Sequence, residues 1–309
     1  MRLTRMVASI VAVCLVTGLI IYGGIFLRPD IVGSTPLDEK GTPRYLYSIG
    51  GPSGAVRPNA VAVANGRVFV TDGSSGKVFV YTEKGRRLFE FGKTGDSKSD
   101  LAFPNGIAVT GQGSLMVADS VKNEIYEFSR EGKYLRTLPI REKFRPGHIF
   151  KGPEELYYVS DLLTNRIMVI NEKGRLIRTY ADSGRPLSYP QGTAIDRQGR
   201  LWVADGGNYS VKVYNPKGKV EAEIKGGGAP QTPFSMVRGI AFDKLGRAYI
   251  SDTINHQIRV FDPDGMQLSV FSWSGQGEGL VFPTGVFISD GKLFVLDRGA
   301  GNVKVFSVG

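Results

Sequence analysis

One cysteine, Cys14, and two histidines, His148 and His256, are all the thiol and imidazole ligands that the 309 residues supply. A lone thiol excludes an intramolecular disulfide framework and any cysteine-based zinc site. Two imidazoles exclude a three-histidine metal centre within one chain. Acidic residues are in the minority, 29 against 39 basic ones, for a formal net charge of +10. Residues 7–27 carry no charge at all. The 41 glycines show no Gly-X-Y period, so the chain is not collagenous. With 41% hydrophobic and 22% charged residues it is not a disordered chain either. Glycine at nearly twice its usual share of about 7% points instead to many tight turns between short strands.

The uncharged stretch, VASIVAVCLVTGLIIYGGIFL, follows Arg2 and Arg5 and precedes Arg28. At about 1.5 Å per helical residue it would reach roughly 30 Å, one hydrocarbon core. The excess of positive charge before it places the N-terminus in the cytoplasm and the remainder outside, periplasmic or at the cell surface. A cleaved signal peptide is the competing reading. Against it, the run exceeds the usual apolar region of about 7–15 residues, and no A-x-A site closes it. Residues 1–27 are therefore expected to be a cytoplasmic stub and a transmembrane signal anchor that gives the chain a membrane partner. Residues 28–43, RPDIVGSTPLDEKGTP, read as an extended linker.

The rest of the chain repeats. Two or three apolar residues followed by aspartate recur as VFVTD, LMVAD, YYVSD, LWVAD, AYISD and LFVLD, ending at Asp72, Asp119, Asp161, Asp205, Asp252 and Asp297. Their spacings of 47, 42, 44, 47 and 45 residues match a four-strand blade period. Each copy opens on an entry strand such as PNGIAV from Pro104. It turns at a pair such as Asn65-Gly66 or Asp290-Gly291, then runs into the Asp-terminated strand. A third strand follows, for instance KVFVY or RIMVI, then a second tight turn and a fourth strand. The sixth copy lacks a fourth strand, and RYLYSIG at 44–50 has its pattern. That segment is expected to pair with the last blade and so remove an exposed sheet edge.

Pro-x-Gly-apolar, V-A-D, an Asn-bearing loop and R-I-x-V-aromatic together resemble the NHL repeat, with FPNGIAV at 103–109 and DLLTNRI at 161–167 as close matches. The resemblance spans 44–309 and implies an all-β, six-bladed β-propeller. The architecture hosts binding modules, scaffolds and enzymes, so it names no activity.

Strand order puts the start of each first strand, the end of each second strand and the loops between blades on one face, where function is expected. The six strand-end aspartates are expected to be structural caps that accept backbone N–H groups, because one job repeated in every blade fits structure better than chemistry. The polar residues Asn59, Asn105, Gln191, Arg238 and Thr284 follow the entry position and are expected at the mouth of the central channel. His148 is expected there too, at a position where four copies carry glycine. It is a candidate base or ligand, or else a packed histidine. Propellers similar to gluconolactonase hold calcium with a glutamate and several Asn or Asp, and no acidic residue occupies the ring positions here. The reading is a non-catalytic binding or scaffolding module that needs no cofactor. The alternative is a calcium-dependent hydrolase or lyase. A protein or an anionic envelope polymer is the expected partner. Nucleic acid is not, since the basic residues are scattered and the aromatics belong to the blades.

Overall fold

The computed structural model describes residues 43–51, 57–93, 95, 97, 99–182, 184–227, 232–272 and 279–308. All of them lie in one unit of the chain, Thr35–Gly309. The anchor expected at 7–27 and all but the last residue of the linker expected at 28–43 lie outside the described residues. Among the described residues, no helix is long and apolar enough to cross a membrane.

Six four-stranded antiparallel sheets form a six-bladed β-propeller. The first blade runs Pro58–Ala64, Arg67–Asp72, Lys77–Thr82 and Arg87–Phe91, each strand beside the next. Four more blades repeat this order, opening at Pro104, Pro146, Pro190 and Val237. The sixth sheet contains Pro283–Ser289, Lys292–Asp297 and Asn302–Ser307, and its fourth strand is Arg44–Gly50. Arg44 faces Ser307, Gly50 faces Asn302, and the pairing between them is antiparallel with one bulge. The innermost strands lie side by side around the ring, that of the sixth blade against that of the first.

Strand alternation explains why the blades stack. Side chains on a strand point alternately to the two faces of its sheet. Val68 and Val70 enter the core shared with the sixth blade, while Phe69 enters the core shared with the second. Leu115 and Val117 face the first blade, and Met116 and Ala118 face the third. Every second strand is thus covered on both faces, which is why it reads as an unbroken apolar run rather than an alternation. The six cores all lie between blades, and each is built from two neighbours. The hairpins are equally explicit. Asn65 and Gly66 adopt φ of 51° and 72°, and Asp290 and Gly291 adopt 49° and 69°. Asparagine, aspartate and glycine tolerate this left-handed pair, which suits the strand twist.

The third strands divide the molecule in two. The residue opposite the middle of the second strand is Phe79, Tyr126 or Met168 in the first three blades. In the last three it is Lys212, Arg259 or Lys304. These three cations are almost wholly buried, at 1%, 0% and 1% exposure. Each has a carboxylate: Lys212 meets Asp182 at 3.0 Å, Arg259 meets Asp252 at 2.6 Å, and Lys304 meets Asp297 at 3.6 Å. Interior charge is tolerated where it is paired and hydrogen-bonded.

Candidate functional site

Each entry strand carries a register irregularity just after its first residue, between Pro58 and Ala60 in the first blade and between Pro190 and Thr193 in the fourth. A bulge bends the strand and re-aims the side chains beside it. Here it presents the following residues to the axis of the ring. The structure brings all six residues expected at the channel mouth, Asn59, Asn105, His148, Gln191, Arg238 and Thr284, into one narrow cavity of about 30 Å³. That volume accepts a water or a small polar head group. Glycine keeps it narrow. A Cβ on Gly192 would lie 2.4 Å from the carbonyl oxygen of Arg238 on the neighbouring strand, so the backbones there approach as closely as only glycine permits.

A seventh polar residue lines the cavity, Arg298, which sequence reasoning missed. It directly follows Asp297. The equivalent residues are Gly73, Ser120, Leu162, Gly206 and Thr253, so Arg298 is the charged exception. Geometry makes that position a channel position. A Cβ on Gly73 would lie 2.4 Å from the side-chain nitrogen of Asn59, the channel residue of its own blade. Comparing the residue after each strand-end aspartate would have revealed it.

The polar atoms of the cavity are incompletely paired. Asn59 donates from Nδ2 to the carbonyl oxygen of Pro104 at 3.1 Å. The Oγ1 of Thr284 donates to the carbonyl of Leu296 at 3.4 Å. The Nδ1 of His148 and the Nε2 of Gln191 are buried without a hydrogen-bond partner among the described residues. Burial pushes the His148 imidazole down to about 4, so it is neutral at pH 7. The guanidinium of Arg238 is lowered from its ordinary value. Burial is the main cause and the charge of Arg298 adds to it, against an opposing influence of Tyr189.

His148 makes stability depend on pH in a defined direction. Its folded pKa of about 4 lies below the unfolded value of about 6.5, so the unfolded chain takes up the proton first. The contribution of the neutral imidazole is complete above pH 6.5 and declines as pH falls towards 4. Over that window the parent should lose up to about 3 kcal/mol relative to His148→Gln. Urea melts of both chains at pH 7 and pH 4 measure it. A stability gap that does not change with pH would refute the buried neutral histidine.

The six strand-end aspartates are not among the residues that line this cavity, and all are 0% exposed. Each ties the loop entering its blade to the loop after its second strand. Asp119 accepts the amides of Ala102, Phe103, Val121 and Lys122 at 2.6–3.1 Å. Asp72 accepts those of Arg57, Ser74 and Ser75 at 2.8–3.1 Å. Asp161 takes the amides of Arg145 and Leu163, and Asp297 those of Val281, Phe282 and Ala300. Asp205 takes the Ser188 amide and the side-chain amide of Asn208. Asp252 takes the amides of Ser235 and Met236. The balance differs between blades. At Asp72 burial opposes the charge, but the Ser74 hydroxyl and the three amides outweigh it and hold the carboxyl low. At Asp205 burial prevails over Asn208, Ser188 and Lys212 and raises it. His256, on the same face, is exposed, and its Nδ1 meets the carbonyl oxygen of Val281.

The donor set decides whether a divalent cation fits the cavity. Calcium is held by oxygen ligands among which carboxylates are prominent. Among the described residues, the ring offers the neutral groups of Asn59, Asn105, His148, Gln191 and Thr284, no carboxylate, and two guanidinium groups. Among the described residues, no group of three or more His, Cys, Asp or Glu is placed to hold a metal. Like charge from Arg238 and Arg298 opposes a cation at this point, so the residues present do not fit calcium.

Similarity to known proteins agrees with the architecture. The "Protein brain tumor" of Drosophila melanogaster is 25% identical over 146 residues, 42% of this chain. This chain spans only 13% of the length of that protein through the match. Among solved structures, a gluconolactonase from Xanthomonas campestris superposes with a TM-score of 0.65 at 16% identity, over 92% of this chain and 99% of that one. A virginiamycin B lyase from Staphylococcus aureus superposes with a TM-score of 0.62 at 17% identity, over 84% and 83%. At such identities the two structures speak for the fold alone. The family of the SMP-30/Gluconolactonase/LRE-like region matches residues 37–237, close to two thirds of the sequence. With six blades around one polar channel and that match, the chain belongs to the SMP-30/gluconolactonase-like family of propellers.

Proposed function

We propose that the chain is a non-catalytic binding module that engages a protein partner through the face bearing its inter-blade loops. One observation carries this reading. Of the ten exposed large hydrophobic side chains among the described residues, six stand on that face: Val121, Leu163, Tyr189, Tyr209, Ile254 and Val281. Four of these occupy the loop after the second strand in four successive blades. Apolar side chains gathered on one rim mark an interaction surface, whereas scattered ones do not. The opposite face carries hairpins with exposed Lys84, Arg86, Lys217 and Lys219, an ordinary solvated surface.

In the same reading, residues 44–309 are the domain and Arg44–Gly50 is the clasp of its ring. Residues 7–27 anchor it, with the propeller outside the cytoplasm. The support is the uncharged stretch and its flanking arginines. A calcium-dependent hydrolase or lyase is the competing function, and the donor set of the channel argues against it.

The test is capture from native membranes with the full chain, read by quantitative mass spectrometry. Substituting Val121, Leu163, Tyr209 and Ile254 together by serine should leave the melting curve nearly unchanged, as surface changes do, and should release the bound protein. Leu245→Ser with Met266→Ser, on the hairpin face, should retain it. Equal recovery from both variants would sink the reading. Turnover of a small lactone that a chelator abolishes would replace it with the hydrolase.

A further inference from the structure

We infer that the channel mouth is an oxyanion site, which takes a carboxylate or phosphate group between the guanidinium groups of Arg238 and Arg298, with Gln191 and His148 beside it. This goes beyond the loop-face reading and does not depend on it.

The first ground is how this molecule treats its other interior cations. Lys212, Arg259 and Lys304 each have an aspartate within 3.6 Å, and the half-buried Arg166 meets Asp161 at 3.1 Å. Arg238 and Arg298 form no ion pair among the described residues. Among the described residues, the one side-chain bond of Arg238 runs from Nε to the sulfur of Met236 at 3.4 Å, and the rest of its fork has no partner there. Two positive groups lining one cavity without a counter-ion among the described residues raise the free energy of the empty site, and an anion lowers it.

The second ground is independent of charge. The Nε2 of Gln191 is a donor, buried and unpartnered in the wall of the same cavity. The buried Nδ1 of His148 is also without a partner there, and it can donate in one tautomer. Buried polar groups are normally satisfied, so orphaned atoms at one place call for a ligand or ordered water. An oxyanion accepts from every one of these groups. Guanidinium groups match the geometry of carboxylate and phosphate in particular. A cavity of about 30 Å³ admits the charged head of a ligand and leaves its body among the loops outside.

The experiment uses the full chain, melted in inorganic phosphate, in acetate and in calcium chloride, with ionic strength held constant by sodium chloride. A saturable rise in melting temperature is expected with phosphate, acetate or both, and the better of the two names the group. Arg298→Gln should weaken that response about tenfold or more, the loss of one charge-assisted contact. In chloride alone it should melt no lower than the parent, because it relieves the repulsion that Arg298 exerts on Arg238. Arg238→Gln should act the same way, and Arg298→Lys should keep part of the response. No shift with either anion overturns the inference. So does an undiminished shift in both glutamine variants, or a rise with calcium that neither anion produces. Loss of the loop-face partner leaves these melts unaffected, so the two readings fail separately.

Discussion

Deleting residues 44–50 from the full chain should lower its melting temperature by more than about 10 °C. The strand removed fills the outer position of the sixth blade along the whole length of Asn302–Ser307. It brings Ile49, at 1% exposure, into the core shared with the first blade, with Leu46 and Tyr47 packed against the same cluster. Tyr45 lies edge-on to Phe306 at 5.9 Å between centroids. Deletion would expose Val303, Val305 and Phe306, which are buried at 0–1% exposure, and would open a sheet edge. Uncovering side chains of this size costs roughly 1.5–3 kcal/mol each when complete, and partial exposure of several suggests on the order of 5 kcal/mol. For a domain of this size about 2–4 °C accompany each kcal/mol. Calorimetry of parent and deletion decides it. A melting point within two or three degrees of the parent would show that the ring is closed by something else.

Asp252→Ala should cost about 3–5 kcal/mol, the range for breaking a buried ion pair from one side. Arg259 is 0% exposed and meets Asp252 through both Nε and a terminal nitrogen, at 2.8 and 2.6 Å. The guanidinium also donates to the carbonyl of Pro233 at 2.9 Å and sits 4.8 Å above the ring of Phe234. Alanine would strip the carboxylate from that buried charge and release the amides of Ser235 and Met236. Asp252→Asn keeps an acceptor and should cost less. Adding Arg259→Met to Asp252→Ala should recover part of the loss, and the cycle of four chains isolates the pair. Urea unfolding supplies the numbers. A loss below about 1 kcal/mol for Asp252→Ala, or no recovery in the double variant, would mean that the pair is not a stabilising unit.

Much of the propeller is legible in the sequence because its signals are local. Period-two strands, turn pairs such as Asn65-Gly66 and the aspartate after each second strand follow from backbone geometry within a few residues. The channel residues are legible for the same reason, since five of them directly follow the residue that opens their entry strand and His148 stands one place further on. Arg298 stands out in the sequence only when the residues after the six strand-end aspartates are compared, and its place at the axis follows from the approach of two segments of its blade. The buried cations were hidden by a different cause. Lys212 in VKVY and Arg259 in IRVF look like outward-facing members of alternating strands. Their burial depends on carboxylates brought in from the preceding strand end, and, for Lys212, from Asp182 30 residues earlier. The loop-face apolar residues were individually visible, but only the ring shows that they share one rim.

The rung between Arg44 and Ser307 has a topological consequence. The two ends of the propeller's strand set stand opposite each other, close enough for a short linker to join them. A chain joined there and reopened in an exposed turn, such as the one at Lys217, would keep every pairing and every inter-blade core. Such circular permutation is tolerated where chain ends lie close together at a surface. The order in which the six blades follow one another along the chain would then be incidental to the fold.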